Sequence, residues 1–373
     1  MSMTMAIALL VGITPVQAAN KVQTGRNYER VWSYSEGMAI VRDMDGRYGF
    51  VDKNGREAVA LKYEAAEIFS EGLAPVSKNG KWGYIDKNGR EVIPVKYDYA
   101  WGFAEGIAVV AKDGKRAYIN KSGREVIAAK YDEAWGFSGG LAQVSKNGKW
   151  GYIDKKGREV AALKYDLIGS FSEGLSWVRS NRKTGFVDKN GRTAIALKYD
   201  DAWSFSEGLA AVCRNGKWGF VDKTGRETIS LKYDNVMGFS DGLAAVSKNG
   251  KWGFVNKTGK EVIAAKYAFD YETGSGYELF FREGLAIVGT NAGYGYIDKK
   301  GKAVTKTDYD YVSIFNGDLA AVSRNGKYGY INKAGKEVIA LKYDYLSDFS
   351  EGRAWVLKDN RWYMINQKGA VIA

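Results

Sequence analysis

One short segment returns along this chain at a fixed interval. The glycine of Ser-Glu-Gly-Leu-Ala, or the residue in its place, falls at Gly37, Gly72, Gly106, Gly140, Gly174, Gly208, Gly242, Gly284, Asp318 and Gly352. The interval is 34 residues, with one extra residue in the first and eight extra in the seventh. A repeated unit cannot bury an apolar face by itself, so copies must stack on their neighbours and share a continuous core. An array also escapes the size limit of a single core, which stops growing near ~250–300 residues; this chain has 373.

A 34-residue period is shared by helical and β arrays, so the residues inside the unit decide between them. In GLAPVSKNGKWGYIDKNGREVIPVKYDYAWGFAE, residues 72–105, apolar and polar residues alternate in short runs bounded by turn dipeptides. That is a strand pattern. Asn79-Gly80 tolerates positive φ at both central positions of a type I′ hairpin between LAPVSK and KWGYID. In Asp86-Lys87-Asn88-Gly89 the glycine suits the left-handed position of a type I turn with a bulge. REVIPV supplies a third strand, and the aromatic segment KYDYAWGF leads into the next unit. Gly-rich, β-branched units are poor helix formers, and the array is all-β.

The ten copies, compared with one another, show what the unit cannot vary. The Gly89 position is glycine every time: Gly55, Gly89, Gly123, Gly157, Gly191, Gly225, Gly259, Gly301, Gly335 and Gly369. The Ile85 position is Val or Ile in all ten, which predicts one buried row. The Tyr84 position is aromatic except at Met364. The Tyr97 position is always Tyr, which suits a buried ring whose hydroxyl meets a backbone partner. Trp82 and Tyr84 share one face of their strand while Gly83 and Ile85 take the other, so both faces are apolar and burial between layers is expected.

The segment KNGKWGYIDKNGRE resembles the bacterial WG-repeat (KWG) family, with Trp-Gly at Trp82-Gly83, Trp150-Gly151, Trp218-Gly219 and Trp252-Gly253. The match spans about residues 28–373. The motif drifts to Tyr at Tyr48, Tyr294 and Tyr328, to Arg116-Ala117, to Thr184-Gly185 and to Trp362-Tyr363. The resemblance implies an exported tandem β-repeat of variable copy number and implies no catalytic activity. Variable copy number favours an open solenoid or superhelical sheet. The alternative is a closed β-propeller, in which residues from Tyr28 onward would complete the last unit.

Histidine is absent and Cys213 is the only cysteine. This excludes Ser-His-Asp and Cys-His catalysis, His-dependent metal sites and an intrachain disulfide. No carboxylate pair is unique to one unit, so the chain reads as a non-enzyme with no cofactor and no metal. In the Asp86 column four of ten copies are Asn (Asn120, Asn256, Asn332, Asn366), which keeps an acceptor and loses the charge. A turn-capping role needs only the acceptor. Acidic residues in the Glu105 column and lysines in the Lys96 column are candidates for ion pairs between units.

The chain holds 55 Lys and Arg against 43 Asp and Glu, a net +12. The unit 72–105 carries Lys78, Lys81, Lys87, Arg90 and Lys96 against Asp86, Glu91, Asp98 and Glu105, which is +1. The excess is therefore spread along the array, and with no basic run nucleic acid is an unfavoured partner. The expected partners are a glycan, an anionic cell-envelope polymer or another protein. Candidate ligand-binding residues are Trp101, Trp135 and Trp203 in the irregular aromatic column, with Tyr271, Tyr277 and Phe280 in the insertion spanning 268–282. A protein-interaction scaffold using the concave face or that insertion is the second reading.

Residues Met5 to Val16 are apolar and uncharged, and Val16-Gln17-Ala18 resembles a cleavage signal. Residues 1–18 are read as a signal peptide, 19–27 as a linker and 28–373 as the repeat domain. The stretch is too short to span a bilayer. The expectation is a periplasmic, cell-surface or secreted protein.

Overall fold

In the computed structural model, residues 20–21, 27–267, 279–290, 292–359 and 361–372 are described. The expected signal segment, most of the linker, and Tyr271 and Tyr277 of the insertion lie outside them. The described residues form strands and turns and no helix.

Each repeat is an antiparallel blade. Blade three shows the pattern: Tyr99–Ala100, Ile107–Lys112, Lys115–Asn120 and Glu125–Tyr131, paired in chain order. Eight blades have four strands and two have three, blade eight (Phe281–Arg282, Leu285–Thr290, Gly293–Asp298) and blade ten (Tyr345–Leu346, Arg353–Lys358, Arg361–Asn366). The hairpin read from Asn79-Gly80 joins Ala74–Lys78 to Lys81–Ile85, with φ of 51° and 68° at the two turn residues. All ten glycines of the Gly89 column lie at φ between 75° and 82°, where a Cβ is strained. The aromatic segment KYDYAWGF, read as a connection, carries a further strand, Tyr99–Ala100. Two residues are too few to show a period.

Blades pack face to face. Ile40, Phe50 and Val59 of blade one meet Ala74, Val76 and Ile85 of blade two in one core cluster. Both faces of the central strands are buried, as alternation on both sides predicted. The fourth strand bulges in every blade that has one. Its backbone crosses so close to the glycine after Trp that a Cβ on Gly83 would lie 2.6 Å from the Ile93 carbonyl, and one on Gly219 2.4 Å from that of Ile229. This explains the Trp-Gly pair: the tryptophan fills the interface and the glycine admits the neighbouring backbone. Blade ten carries Tyr363 at this position, and the crossing stretch Ile93 to Val95 has no counterpart among its described residues.

The array closes on itself. From blade to blade a serine in the loop after the first strand donates to a carbonyl in the next blade: Ser35 to Phe69 at 2.9 Å, Ser172 to Phe205 at 2.6 Å, Ser206 to Phe239 at 2.5 Å. Ser350 of blade ten makes the same bond to Tyr34 of blade one, at 2.9 Å. Tyr28, Val31 and Tyr34 share a core cluster with Trp355, Trp362 and Met364. The molecule is therefore a ring of ten blades, the closed propeller-like alternative, and the open solenoid is set aside. Copy number across a family does not report curvature; the wedge between faces does, at about 36° per blade for ten in a full turn.

Candidate functional site

The Asp86 column is built into its turns. Asp86 Oδ1 accepts the backbone N–H of Asn88 at 3.0 Å and of Arg90 at 2.9 Å, and Asn120 serves Ser122 and Arg124 in the same way. The carboxylates are turn caps. Among the described residues no group of three or more Asp, Glu or Cys side chains is placed to hold a metal ion.

The acidic column of the Ser-Glu-Gly loop does something the sequence did not show. Glu36, Glu71, Glu105, Glu173, Glu207, Asp241, Glu283 and Glu351 all have φ of 51–53°. Glu71 accepts the Gly106 N–H of the following blade at 3.0 Å, Glu207 that of Gly242 at 3.0 Å, and Glu351 that of Gly37 at 3.0 Å across the closure. The cation partner is a turn lysine and not the Lys96 column: Lys121–Glu71 at 3.1 Å, Lys155–Glu105 at 3.0 Å, Lys223–Glu173 at 3.1 Å. The Lys155 ammonium, helped by the Gly140 N–H, holds the Glu105 carboxyl below its usual range. On the opposite face of the ring Lys81 pairs with Asp98 at 2.5 Å, and Lys115 with Asp132 at 2.6 Å.

The Lys96 column is left over. Lys62, Lys96, Lys130, Lys164, Lys198, Lys232, Lys266 and Lys342 are all exposed. Each holds its ammonium 5.2–5.4 Å from the ring of the tyrosine that follows it. Among the described residues none of the eight forms an ion pair. The Tyr97 column thus provides a buried ring beneath a lysine. The backbone-bonded hydroxyl expected there belongs to the Tyr84 column, where Tyr84 donates to the Trp101 carbonyl at 2.7 Å and Tyr118 to that of Trp135 at 2.9 Å. Burial, the leading cause, raises both hydroxyls far above the usual tyrosine range.

Each blade has two edges. Tyr311, on a first strand, is 37% exposed, yet burial pushes its hydroxyl up to about 12. Tyr345 and the exposed carboxylate of Asp348 are pushed up by the same cause. The first strands form one edge of the blades, and the fourth strands with their lysines form the other.

The tryptophan candidates belong to the first-strand edge. Trp135 is 50% exposed and Trp203 41%, the latter edge-on to Trp218 at 6.3 Å. Trp101 is half-buried between Tyr99 at 4.5 Å and the Arg116 guanidinium at 4.9 Å. The three share one column on the first-strand side, away from the lysine row, so the expected combined basic and tryptophan surface divides into two. Phe280 is half-buried beside Leu279 and Phe281, which take the regular core places of the unit. The lysine row was legible as the Lys96 column; its freedom from carboxylates was not, because pairing is set by which turns meet between blades.

The family profile described as "WG containing repeat" matches ten successive segments, 26–48, 48–82, 82–115, 117–150, 150–183, 185–218, 218–252, 252–269, 294–328 and 328–362. No curated protein matches the chain. Among solved structures it is similar to a eukaryotic initiation factor, at 12% identity over 91% of this chain and 95% of that one, TM-score 0.48. It is also similar to BamB from Moraxella catarrhalis, at 13% identity over 83% and 94%, TM-score 0.38. The computationally designed Ika8 protein matches at 13% identity over 72% and 93%, TM-score 0.36. With matching segments from residue 26 to residue 362, the chain belongs to the WG containing repeat family.

Proposed function

We propose that this protein is an exported, non-catalytic binding scaffold that holds an anionic cell-envelope polymer or acidic glycan along the fourth-strand edges of its blades. The observation that carries the reading is the row of eight exposed lysines, each set over a tyrosine ring and none joined to a carboxylate among the described residues. The ring limits where the ammonium goes, so less freedom is lost on binding. Equal weak contacts at a regular interval suit a repeating anionic chain, and affinity then grows with the number of contacts. The +12 charge draws such a chain in, and salt screens the attraction over ~8–10 Å.

The test compares wild type with Lys96→Gln, Lys130→Gln, Lys164→Gln and Lys198→Gln, added one at a time, for binding to polygalacturonate with neutral dextran as control. Affinity should fall stepwise with each substitution. It should also drop about tenfold or more between ~50 and ~300 mM salt. Unchanged affinity in the fourfold variant, or equal binding to dextran, would refute this edge as the site.

A further inference from the structure

The column of Trp101, Trp135 and Trp203 breaks at blade five, which carries Gly169 in that place. The gap is filled from the strand opposite. In blades three to six the backbone N–H of this position donates across the ladder to one partner: Trp101 to the Val109 carbonyl at 3.1 Å, Trp135 to Gln143, Gly169 to Trp177 and Trp203 to Ala211, each at 2.9 Å. Blade five has the pair reversed, with glycine on the first-strand side and tryptophan across from it. A Cβ on Gly169 would lie 2.2 Å from the Trp177 indole nitrogen, so the indole takes the space of the missing side chain. Gly169 does not have a positive φ, so its backbone does not call for glycine; the indole over it does. Four consecutive blades therefore present one indole each. Trp135 and Trp203 are exposed, and Trp101 and Trp177 are half-buried. The row ends on both sides: blade two carries Glu67 at this position, and Met237 of blade seven is buried.

Polar contacts join the indoles from blade to blade. The Arg116 guanidinium lies 4.9 Å from the Trp101 ring and 3.4 Å from Glu133, two residues before Trp135. Gln143, across from Trp135, donates to the Ser170 hydroxyl at 3.0 Å, beside Gly169. Arg179, two residues after Trp177, pairs with Asp201, two residues before Trp203. Trp177 also packs on the cluster that holds Ala202 and Phe205 of blade six. Both arginines are answered by a carboxylate of the next blade, so these groups between the indoles carry no net charge.

We propose that Trp101, Trp135, Trp177 and Trp203 form a platform for an uncharged, β-linked glycan across blades three to six. The faces of a pyranose ring are C–H groups, and its hydroxyls point outward from the ring. Such a ring stacks on an indole and turns its hydroxyls to the polar groups beside it. An extended β-linked chain offers its ring faces in line, as successive blades offer their indoles, and each contact adds to the last. Paired ions and neutral amides leave a polyanion little to gain here. The polar contacts also divide the indoles, so they do not merge into the continuous apolar core of a protein interface. The platform is independent of the lysine row: it lies on the first-strand edges, and its ligand is uncharged.

The probe is cellohexaose, titrated calorimetrically into the full chain, with dextran as an uncharged glucan whose α-links do not align the ring faces. Cellohexaose should bind and dextran should not, and the affinity should stay level between ~50 and ~300 mM salt. Trp135→Ala and Trp203→Ala should each weaken binding severalfold, and together about tenfold or more. Both side chains are exposed, so folding should survive; a melting curve checks this. The reversed pair gives a second test. Trp177→Val, which copies the Val109 of blade three, should weaken binding. Adding Gly169→Trp should restore it, because the indole returns to its column. Absence of cellohexaose binding by wild type overturns the platform. So does wild-type affinity in the folded Trp135→Ala, Trp203→Ala protein, equal binding of dextran, or a folded Gly169→Trp, Trp177→Val protein that binds no better than Trp177→Val alone.

Discussion

A glutamate in left-handed backbone is costly, since a Cβ is disfavoured there by about 1 kcal/mol. The ring accepts this cost in eight blades: in six the carboxylate reaches both a backbone N–H and a lysine of the next blade, at Glu283 it reaches the lysine and at Glu351 the N–H. Two blades lack it. At Gly139 φ is 60°, and the Lys189 ammonium lies 3.6 Å from where a Cβ would be. Gly139→Glu should therefore supply the missing link to Gly174 and Lys189. We expect a gain of about 0.5–1 kcal/mol, read as a higher midpoint in urea with unchanged slope. A lower midpoint would mean that the left-handed strain outweighs the new bonds.

The element that makes the family motif intelligible is the bulged fourth strand. Gly219 lies under the Ile229 carbonyl and Ser230, both backbone atoms that cannot swing aside. Ala117, fully buried in blade three, is the largest residue this position holds beside a fourth strand among the described blades. Gly219→Val should push strands three and four of blade six apart and cost about 2–3 kcal/mol or more. Hydrogen exchange should show the loss first in Lys217–Asp222 and Glu227–Tyr233. Protection unchanged in those strands would refute the close-approach account of the Trp-Gly pair.

Among the described carboxylates that depart from their usual range, all but Asp348 are held low. Lys81 holds Asp98 low, Lys115 holds Asp132 low, and the Thr224 hydroxyl leads in bringing Asp222 down to about 2. Unfolded carboxylates titrate near ~4. The stabilisation is complete above that value and is lost as pH falls through the lowered folded values toward about 2. With no histidine in the chain, no side chain ordinarily titrates between pH ~5 and ~8. The melting temperature should be level from pH ~8 to ~5.5 and fall below pH ~4. A steep loss already between pH ~6 and ~5 would contradict the pairing.

The repeat, the all-β class, the Asn-Gly hairpins and the left-handed Gly89 column follow from local rules, because turn geometry and period-two burial are written in neighbouring residues. The Asp86 caps were legible for the same reason: donor and acceptor lie within four residues. Closure was not legible. It depends on the angle between blade faces, and the bond from Ser350 to Tyr34 joins residues 316 apart. Nor could the residues in order show that Glu105 meets Lys155 while the Lys96 column goes unpaired, or that Trp135 and those lysines lie on opposite edges of their blades. Local spacing determines which turn a residue makes; only the stacking of one blade on the next decides which charges meet and which stay free.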